Sequence, residues 1–176
     1  EDNEGVWPDC GPPLEKLLQY TQVFFDRNVR VLPAASISSS TLASKKRKRK
    51  GNKDNAEFKL RFPHNTHSAG SGHPLATSVT IEGRANQKHT QLQVTSVLDA
   101  LSAFRDQRNR SKEFCIMAIT MEDLFDGPTD LFCTGMAFGG NKVAVFSFFR
   151  YHPHLKMHPG TWHDFGYART PSSYSY

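Results

Sequence analysis

Residues 113–151 read EFCIMAITMEDLFDGPTDLFCTGMAFGGNKVAVFSFFRY and contain three apolar runs close together. The first run, residues 114–120, has no polar side chain until its last position, which is typical of a strand covered on both faces. The other two runs are residues 131–138 and residues 142–149. No other part of the chain is as densely apolar. The stretch therefore predicts a buried strand, a short connection and a hairpin, around which the core forms.

Two connections join these runs. Gly139-Gly140-Asn141 separates the second run from the third, and because glycine takes positive φ angles without steric cost, it predicts a tight antiparallel hairpin. The connection after the first run, residues 120–128, is short and polar. Its Thr and acidic residues predict about one capped helical turn.

The length and composition suit one domain with part of the chain unpacked. The chain has 176 residues, of which 38% are hydrophobic, and its mean hydropathy is -0.54. No window approaches the roughly 20 apolar residues of a membrane span, so no membrane partner is expected. The first residues show neither an initiating Met nor a signal peptide. We therefore expect a fragment or a processed chain.

Cysteine usage indicates an intracellular protein. Cys10, Cys115 and Cys133 are odd in number and form no C-x-x-C pair. Two of them lie in predicted strands, which suits reduced thiols. The predicted location is the cytoplasm, with the nucleus left open by the basic run described next.

The net charge of +5 belongs to one segment. Residues 43–90 contain eleven Lys/Arg and three acids, or +8, whereas the rest has eleven Lys/Arg and fourteen acids, or -3. This segment contains a run of six consecutive basic residues. The run is a candidate nuclear-import signal or phosphate-binding tail, and the alternative is a solvated linker. No aromatic residue interrupts it, so single-stranded nucleic acid is not an expected partner. The run is Lys45, Lys46, Arg47, Lys48, Arg49 and Lys50.

Two helices are predicted from apolar side chains at 3.6-residue spacing, over residues 14–25 and 91–110. The first is expected to end at Asn28 and to be followed by a short strand, residues 29–32. Its apolar face is Leu14, Leu17, Leu18, Thr21, Phe24 and Phe25. The stripe of the second helix is Val94, Val97, Leu98, Leu101 and Phe104.

The order strand, helix, strand predicts a βαβ unit with a right-handed crossover, in which residues 29–32 and 114–120 lie parallel in one sheet. Residues 35–90 are rich in Ser, Lys, Asn, His and Gly and contain few aromatic residues. They are predicted to be a disordered basic insertion in this unit.

Two polar clusters invite a catalytic interpretation. Glu122, Asp123, Asp126 and Asp130 could act as acid and base or bind a divalent cation. Helix capping and turn formation explain Thr120, Asp123 and Asp126 without any function, and we prefer that interpretation. The Met and Phe side chains of the hairpin are interpreted as core.

The second cluster consists of histidines. Imidazole is a preferred zinc ligand, but the segment after residue 150 reads as a loop, which would not hold the rings in a fixed tetrahedron. Adventitious or absent metal binding is the preferred interpretation. We therefore assign no catalytic and no metal-binding residue in this chain. The four histidines are His152, His154, His158 and His163.

Several short motifs follow one another in a definite order. A hydrophobic strand ends in Thr, a D-L-F turn follows, and a later strand ends in S-F-F-R-Y. The residues concerned are Thr120, Asp123, Leu124, Phe125, Ser147, Phe148, Phe149, Arg150 and Tyr151. This order resembles the archaemetzincins, zinc metallopeptidases of the metzincin clan. Residues 14–25 with VRVLPAASIS resemble the preceding unit of that family, and LQVTSVLDAL resembles its pre-strand helix.

The resemblance implies an α/β fold, a metzincin-like N-terminal subdomain with a mixed, mostly parallel sheet and flanking helices. Residues 12–34 and 91–151 would form it, with residues 35–90 inserted. In such folds an antiparallel edge strand borders the cleft, and the substrate peptide pairs with it by β-augmentation. That strand would include Leu131, Phe132, Cys133, Thr134, Gly135 and Met136.

The family carries its zinc ligands and general base on a helix with H-E-x-x-H-x-x-G-x-x-H. No histidine of this chain is followed by Glu. We expect residues 152–176 to lead towards that helix in a full-length parent, which would bind one zinc ion and cleave a peptide or protein substrate. This chain alone is expected to bind no zinc and to be inactive. The alternative is a non-catalytic binding module that uses the basic run for an import receptor or nucleic-acid contact.

Overall fold

The computed structural model describes residues 11–39, 55–63, 78–85, 90–108 and 112–152. These residues form two α-helices, α1 (Leu14–Phe25) and α2 (Val94–Asp106). They also form β1 (Ser36–Ser39), β2 (Asn55–Arg61), β3 (Ser78–Ala85), β4 (Thr90–Gln93), β5 (Ile116–Thr120), β6 (Asp123–Phe125), β7 (Gly135–Phe138) and β8 (Val143–Ser147). A 3-10 turn, Phe149–Tyr151, follows β8. The fold is mixed α/β, as predicted.

The strands form two sheets, with the orders β1-β2-β3-β4-β6 and β5-β8-β7. The pairs along β1, β2, β3 and β4 are antiparallel, and β4 pairs parallel with β6. In the smaller sheet β5 is parallel to β8, and β7 is antiparallel to it. The sheets are mixed, but the antiparallel pairs outnumber the parallel ones among the described strands. The expectation of a mostly parallel sheet is therefore wrong.

The prediction of a disordered insertion is wrong for the described parts of residues 35–90, because β1, β2 and β3 lie there. In β2, Phe58 and Leu60 are buried, whereas Lys59 and Arg61 are exposed. This two-residue alternation is the mark of a half-buried strand. The many charged and polar residues hid it from the composition argument. The basic run lies outside the described residues.

The predicted pairing of residues 29–32 with β5 is also wrong. Residues 29–32 form no strand, and β5 pairs with β8 from Ile116↔Val143 to Thr120↔Ser147. The parallel strands on either side of α2 are β4 and β6, with Leu92 opposite Leu124, and β5 also lies in the connection between them. Hence the first residues of the predicted second helix, from Gln91, belong to a strand instead.

Helix α2 carries the centre of the core. All five side chains of its predicted apolar stripe are buried, which confirms that part of the prediction. The helix contacts strands of both sheets, and the Phe104 ring stacks on that of Phe62 with 4.4 Å between centroids. Each such side chain contributes about 1.5–3 kcal/mol on full burial. Packing on one helix thus joins the two sheets.

Helix α1 begins where the sequence predicts but ends before the predicted Asn28, and it buries no residue. Leu14, Leu17, Leu18 and Thr21 are half-buried, whereas Phe24 and Phe25 of the predicted apolar face are exposed. The left-handed conformation of Asp26, with φ of 49°, ends the helix before Asn28. Neither helix among the described residues is long and apolar enough to cross a membrane.

The predicted hairpin is present as β7 and β8. In its turn, the Asn141 N–H donates to the Phe138 carbonyl at 3.1 Å, and the Lys142 N–H donates to Gly139 at 3.2 Å. The positive φ falls on Lys142, at 54°, and not on either glycine.

Two further expectations for the central stretch are wrong. Strand β5 is not covered on both faces, because Met117 is exposed. The polar connection after β5 forms no helical turn. It contains β6, whose three residues are all buried.

Candidate functional site: a buried ion pair beside an edge strand

Asp123 of β6 and Arg150 of the 3-10 turn form a buried ion pair. Arg150 Nη2 donates to Asp123 Oδ2 at 2.6 Å, and Nε donates to Oδ1 at 2.9 Å. The Asp123 side chain is 1% exposed and the Arg150 side chain 3% exposed. Two parallel bonds between a guanidinium and a carboxylate fix their relative orientation as well as their distance. The pair therefore fixes the position of the 3-10 turn after β8 relative to β6.

The network continues through Gln91 of β4. Its Nε2 donates to Asp123 Oδ2 and to the Leu131 carbonyl, each at 2.7 Å. Arg84 Nε of β3 donates to Gln91 Oε1 at 2.6 Å. The Asp123 carboxylate thus accepts hydrogen bonds from two side chains, which compensates its removal from water.

Aromatic rings cover both guanidinium groups. Arg150 lies over the Phe132 ring at 4.1 Å from its centroid, and Arg84 lies over Phe125 at 4.1 Å. A desolvated cation over a ring contributes about 0.5–2 kcal/mol. The Phe132 contact holds the segment before β7 against the ion pair.

The other motif residues lie at the same place. The Ser147 hydroxyl donates to the Glu122 carbonyl at 2.6 Å, and the Phe148 N–H donates to the Thr120 carbonyl at 2.9 Å. The carboxyl ends of β5 and β8 and the amino end of β6 therefore meet around Asp123. We call the four side chains of Thr120, Asp123, Ser147 and Arg150 the carboxyl-end cluster.

The structure separates the predicted acidic group. Asp123 is held by Arg150, while Asp130 Oδ2 accepts the Gly127 N–H at 2.7 Å and closes a turn. Thr120 Oγ1 accepts the Glu122 N–H at 3.0 Å, so Thr120 has the local role that was predicted. A capping role for Asp123 is wrong. Desolvation, and then the negative charge of Asp123, raise the pKa of Glu122.

No metal site forms among the residues described here, since no three His, Cys, Asp or Glu side chains converge there. His152 follows the 3-10 turn, where its N–H donates to the Phe149 carbonyl at 3.2 Å. His154, His158 and His163 lie outside the described residues.

The edge strand is shorter than the resemblance implies. β7 starts at Gly135, so Leu131, Phe132, Cys133 and Thr134 precede it. The backbone of this preceding segment is engaged with the larger sheet, because the Cys133 N–H donates to the Leu124 carbonyl at 2.7 Å. Gly135 and Met136 are the predicted edge residues that lie in β7.

Backbone groups of β7 point in two directions. The Ser147 N–H donates to the Thr134 carbonyl at 2.8 Å, and alternation then directs Met136 towards β8 and Gly135 and Ala137 away from it. The Gly135 carbonyl accepts the Cys133 thiol at 3.2 Å. No described strand pairs with the outer side of β7. Ala137, which is exposed, therefore presents an outward N–H and C=O.

Sequence reasoning missed Arg84 and Gln91. Arg84 lies in the stretch taken for a disordered insertion, and Gln91 in the expected first turn of the second helix. The available signal was the alternation Gln91-Leu92-Gln93, a period of two that favours a strand.

Comparison of the chain with protein-family models, curated proteins and solved structures finds no match in any of the three.

Proposed function

We propose that this chain forms the N-terminal, peptide-binding part of an archaemetzincin-like zinc metallopeptidase. One observation supports this proposal above the others. The D-L-F and S-F-F-R-Y motifs, which carry the resemblance, lie more than twenty residues apart in sequence. Their Asp123 and Arg150 nevertheless meet in one buried ion pair, next to an antiparallel edge strand.

In this proposal the Asp123–Arg150 ion pair holds the 3-10 turn in position against β6, and the edge strand β7 binds the substrate peptide. An extended peptide adds to β7 through the outward N–H and C=O of Ala137, by β-augmentation. In the proposed parent protein, zinc is bound by the catalytic helix that the resemblance implies, and no described residue is assigned to it. Zinc bound there supplies the activated water for peptide hydrolysis. The chain by itself is proposed to be inactive.

A pair of proline substitutions tests the binding role. Ala137→Pro removes the outward N–H of β7 without removing a bond to β8, and edge strands tolerate proline. Met117→Pro is the matched control. The Ile116 N–H donates to the Lys142 carbonyl in β5, so the Met117 N–H points to the outer side of that strand.

Both variants are made in the longest encoded polypeptide that contains these residues, and kcat/KM is measured on an unfolded protein substrate. We expect Ala137→Pro to lower kcat/KM at least about tenfold, the equivalent of one lost hydrogen bond of about 1.4 kcal/mol. Met117→Pro should leave it unchanged. Equal effects of the two substitutions, at equal stability, would refute the binding role of β7.

A second candidate function rests on the segregated charge. Six consecutive basic residues, Lys45–Lys50, stand in a chain whose remainder outside residues 43–90 is acidic. As a binding module, the chain would hold polyanions through this run. A salt titration of nucleic-acid binding, with the run intact and changed to alanine, separates the two functions. Binding that weakens steeply with salt and needs the run would favour the module.

A further inference from the structure

The smaller sheet, β5-β8-β7, packs on the core with one face only. Helix α2 contacts all three of its strands, and Ile116, Val143 and Val145 on that side are buried. Because successive side chains of a strand point to opposite faces, the residues between them form the other face. We call these six residues the outer face. They are Met117 and Ile119 in β5, Ala144 and Phe146 in β8, and Gly135 and Ala137 in β7.

The outer face is apolar throughout, since none of its six residues has a polar or charged side chain. Met117 is 44% exposed, and within the part of the chain that the structure describes, none of the six belongs to the hydrophobic core or packs against it. Lys142, the nearest charged residue along β8, is exposed at the rim, where its long side chain can stay in water. Strands that are apolar on both faces are typical of a sheet with a second layer on each side. The outer face therefore requires a second layer.

The strand register arranges the outer face in two rows across the sheet. In the first row Met117 lies opposite Ala144, and Ala144 lies opposite Ala137. The size of the side chains therefore falls from β5 to β7. Met117 projects at one end of this row, beside a recess over the two alanines.

The second row consists of Ile119, Phe146 and Gly135. The Phe146 ring extends over Gly135, because a Cβ added to this glycine would lie 3.0 Å from Phe146 Cδ2. The rings of Phe148 and Tyr151 contact the Phe146 ring, with centroids 4.9 Å and 6.1 Å away. The second row is thus filled at both ends, and the recess is confined to the first row.

This arrangement is self-complementary under a two-fold axis parallel to β8. Such an axis places β5 of one copy over β7 of the other, as in two sheets stacked about 10 Å apart. Met117 of each copy then enters the recess over Ala137 and Ala144 of the other copy. In the second row, Ile119 of each copy meets the Phe146 ring of the other. Every contact occurs twice, as a two-fold interface requires.

We propose that the outer face binds the outer face of a second copy of this chain, in a two-fold dimer with Met117 over Ala137 of the other copy. No charge lies within the face, so two copies meet there without the like-charge repulsion that disfavours a wrong partner. Stacking of the two faces leaves the outward N–H and C=O of Ala137 free. The dimer is therefore compatible with peptide binding at the edge of β7 and does not depend on it.

The size of the outer face predicts a weak dimer. Its three strands, of which the longest have five residues, cover about 14 Å by 17 Å. The two copies together bury roughly 500 Å² of projected area, which is below the about 1,200 Å² of stable complexes. Sedimentation equilibrium of the 176-residue chain should give a reversible monomer–dimer equilibrium with a Kd above about 1 μM. A chain that stays monomeric up to about 1 mM would overturn the proposal.

Single charges at the two contacting positions test the geometry. Met117→Glu and Ala137→Lys should each raise the Kd at least about tenfold, because each places an unpaired charge in the interface. The matched control is Val23→Glu, at an apolar side chain of α1 that is 83% exposed, and it should leave the Kd unchanged. Dimers that Val23→Glu dissociates and Met117→Glu leaves intact would overturn the proposal, because the exposed end of α1 would then be the interface.

Mixing the two charged variants keeps the test independent of folding. In a heterodimer the introduced carboxylate faces the introduced ammonium group, and the other Met117–Ala137 contact is unchanged. The mixture should therefore dimerise at least about tenfold more tightly than either variant alone. A mixture that associates no more tightly than the separate variants would exclude the face-to-face geometry and with it the proposed dimer.

Discussion

Asp123 and Arg150 are almost fully removed from water, so removing either partner leaves a buried charge uncompensated and lowers the free energy of unfolding. Changing Arg150 to Ala leaves the Asp123 carboxylate buried with Gln91 as its remaining side-chain donor among the bonds above. We expect the free energy of unfolding to fall by about 3–5 kcal/mol, measured by urea denaturation. The control is Arg30→Ala at the largely exposed Arg30–Glu113 pair, which should cost about 1 kcal/mol or less. Equal losses would contradict a buried role for Arg150.

The hairpin turn gives a second prediction at the scale of a residue. Gly140 has no neighbour near an added Cβ and no left-handed φ, so Gly140→Ala should stabilise the protein by about 0.4–1 kcal/mol through the unfolded state. Lys142→Gly should relieve the left-handed strain of about 1 kcal/mol at that position. Thermal unfolding measures both. Destabilisation by Gly140→Ala would contradict this assignment, because it would indicate that a glycine of the turn has the positive φ.

At the scale of elements, the β2–β3–β4 ladder decides whether the supposed insertion belongs to the fold. A Cβ on Gly83 would lie 2.4 Å from the Phe58 ring and 2.6 Å from the Gln91 carbonyl. We expect Gly83→Ala to cost about 1–3 kcal/mol by overpacking, in urea denaturation. Gly127→Ala meets its nearest atom at 3.4 Å and should change little. An unchanged free energy of unfolding for Gly83→Ala would mean that these strands are not packed as described.

Glu113 joins two elements, because it accepts hydrogen bonds from Arg108 after α2 and pairs with Arg30 after α1. The bond from Arg108, followed by the charges of Arg108, Arg30 and Arg105, lowers the pKa of Glu113 against the effect of its desolvation. Because the pKa of Glu113 is lower in the folded protein than in the unfolded chain, its ionised form stabilises the fold at pH values above the unfolded-state pKa. This contribution is lost as the pH falls through the folded-state pKa. Glu113→Gln should therefore cost about 0.5–1 kcal/mol at pH 7 and progressively less below its ordinary pKa of 4.5. A gap that is constant with pH would exclude this ion pair as the cause.

The sequence predicted the elements whose periodicity is strong. Helix α2 and the β7–β8 hairpin follow from the five apolar side chains of one stripe and from the runs on either side of Gly139-Gly140-Asn141. It did not predict β1, β2 and β3, because β1 is mostly serine and exposed, and charged side chains alternate with the apolar ones in β2 and β3. Strand partners were wrong as well, since β5 meets β8 through contacts that no local pattern specifies.

At the scale of the whole molecule, the two sheets are joined by contacts with α2 and by the hydrogen bonds around the carboxyl-end cluster. The motif order picked out Asp123 and Arg150 from the sequence. Their pairing, and the roles of Arg84 and Gln91, depend on a sheet order that sequence periodicity does not encode. The site residues could thus be predicted from the sequence where short motifs mark them, whereas their contacts became visible only in the assembled sheets.

The most direct measurement is the zinc content and peptide hydrolysis of the longest encoded polypeptide that contains these residues, compared with the 176-residue chain. We predict about one zinc per longer polypeptide and hydrolysis that a chelator abolishes, with neither in the shorter chain. A longer polypeptide without zinc-dependent hydrolysis, or one tightly bound zinc in the shorter chain, would contradict it.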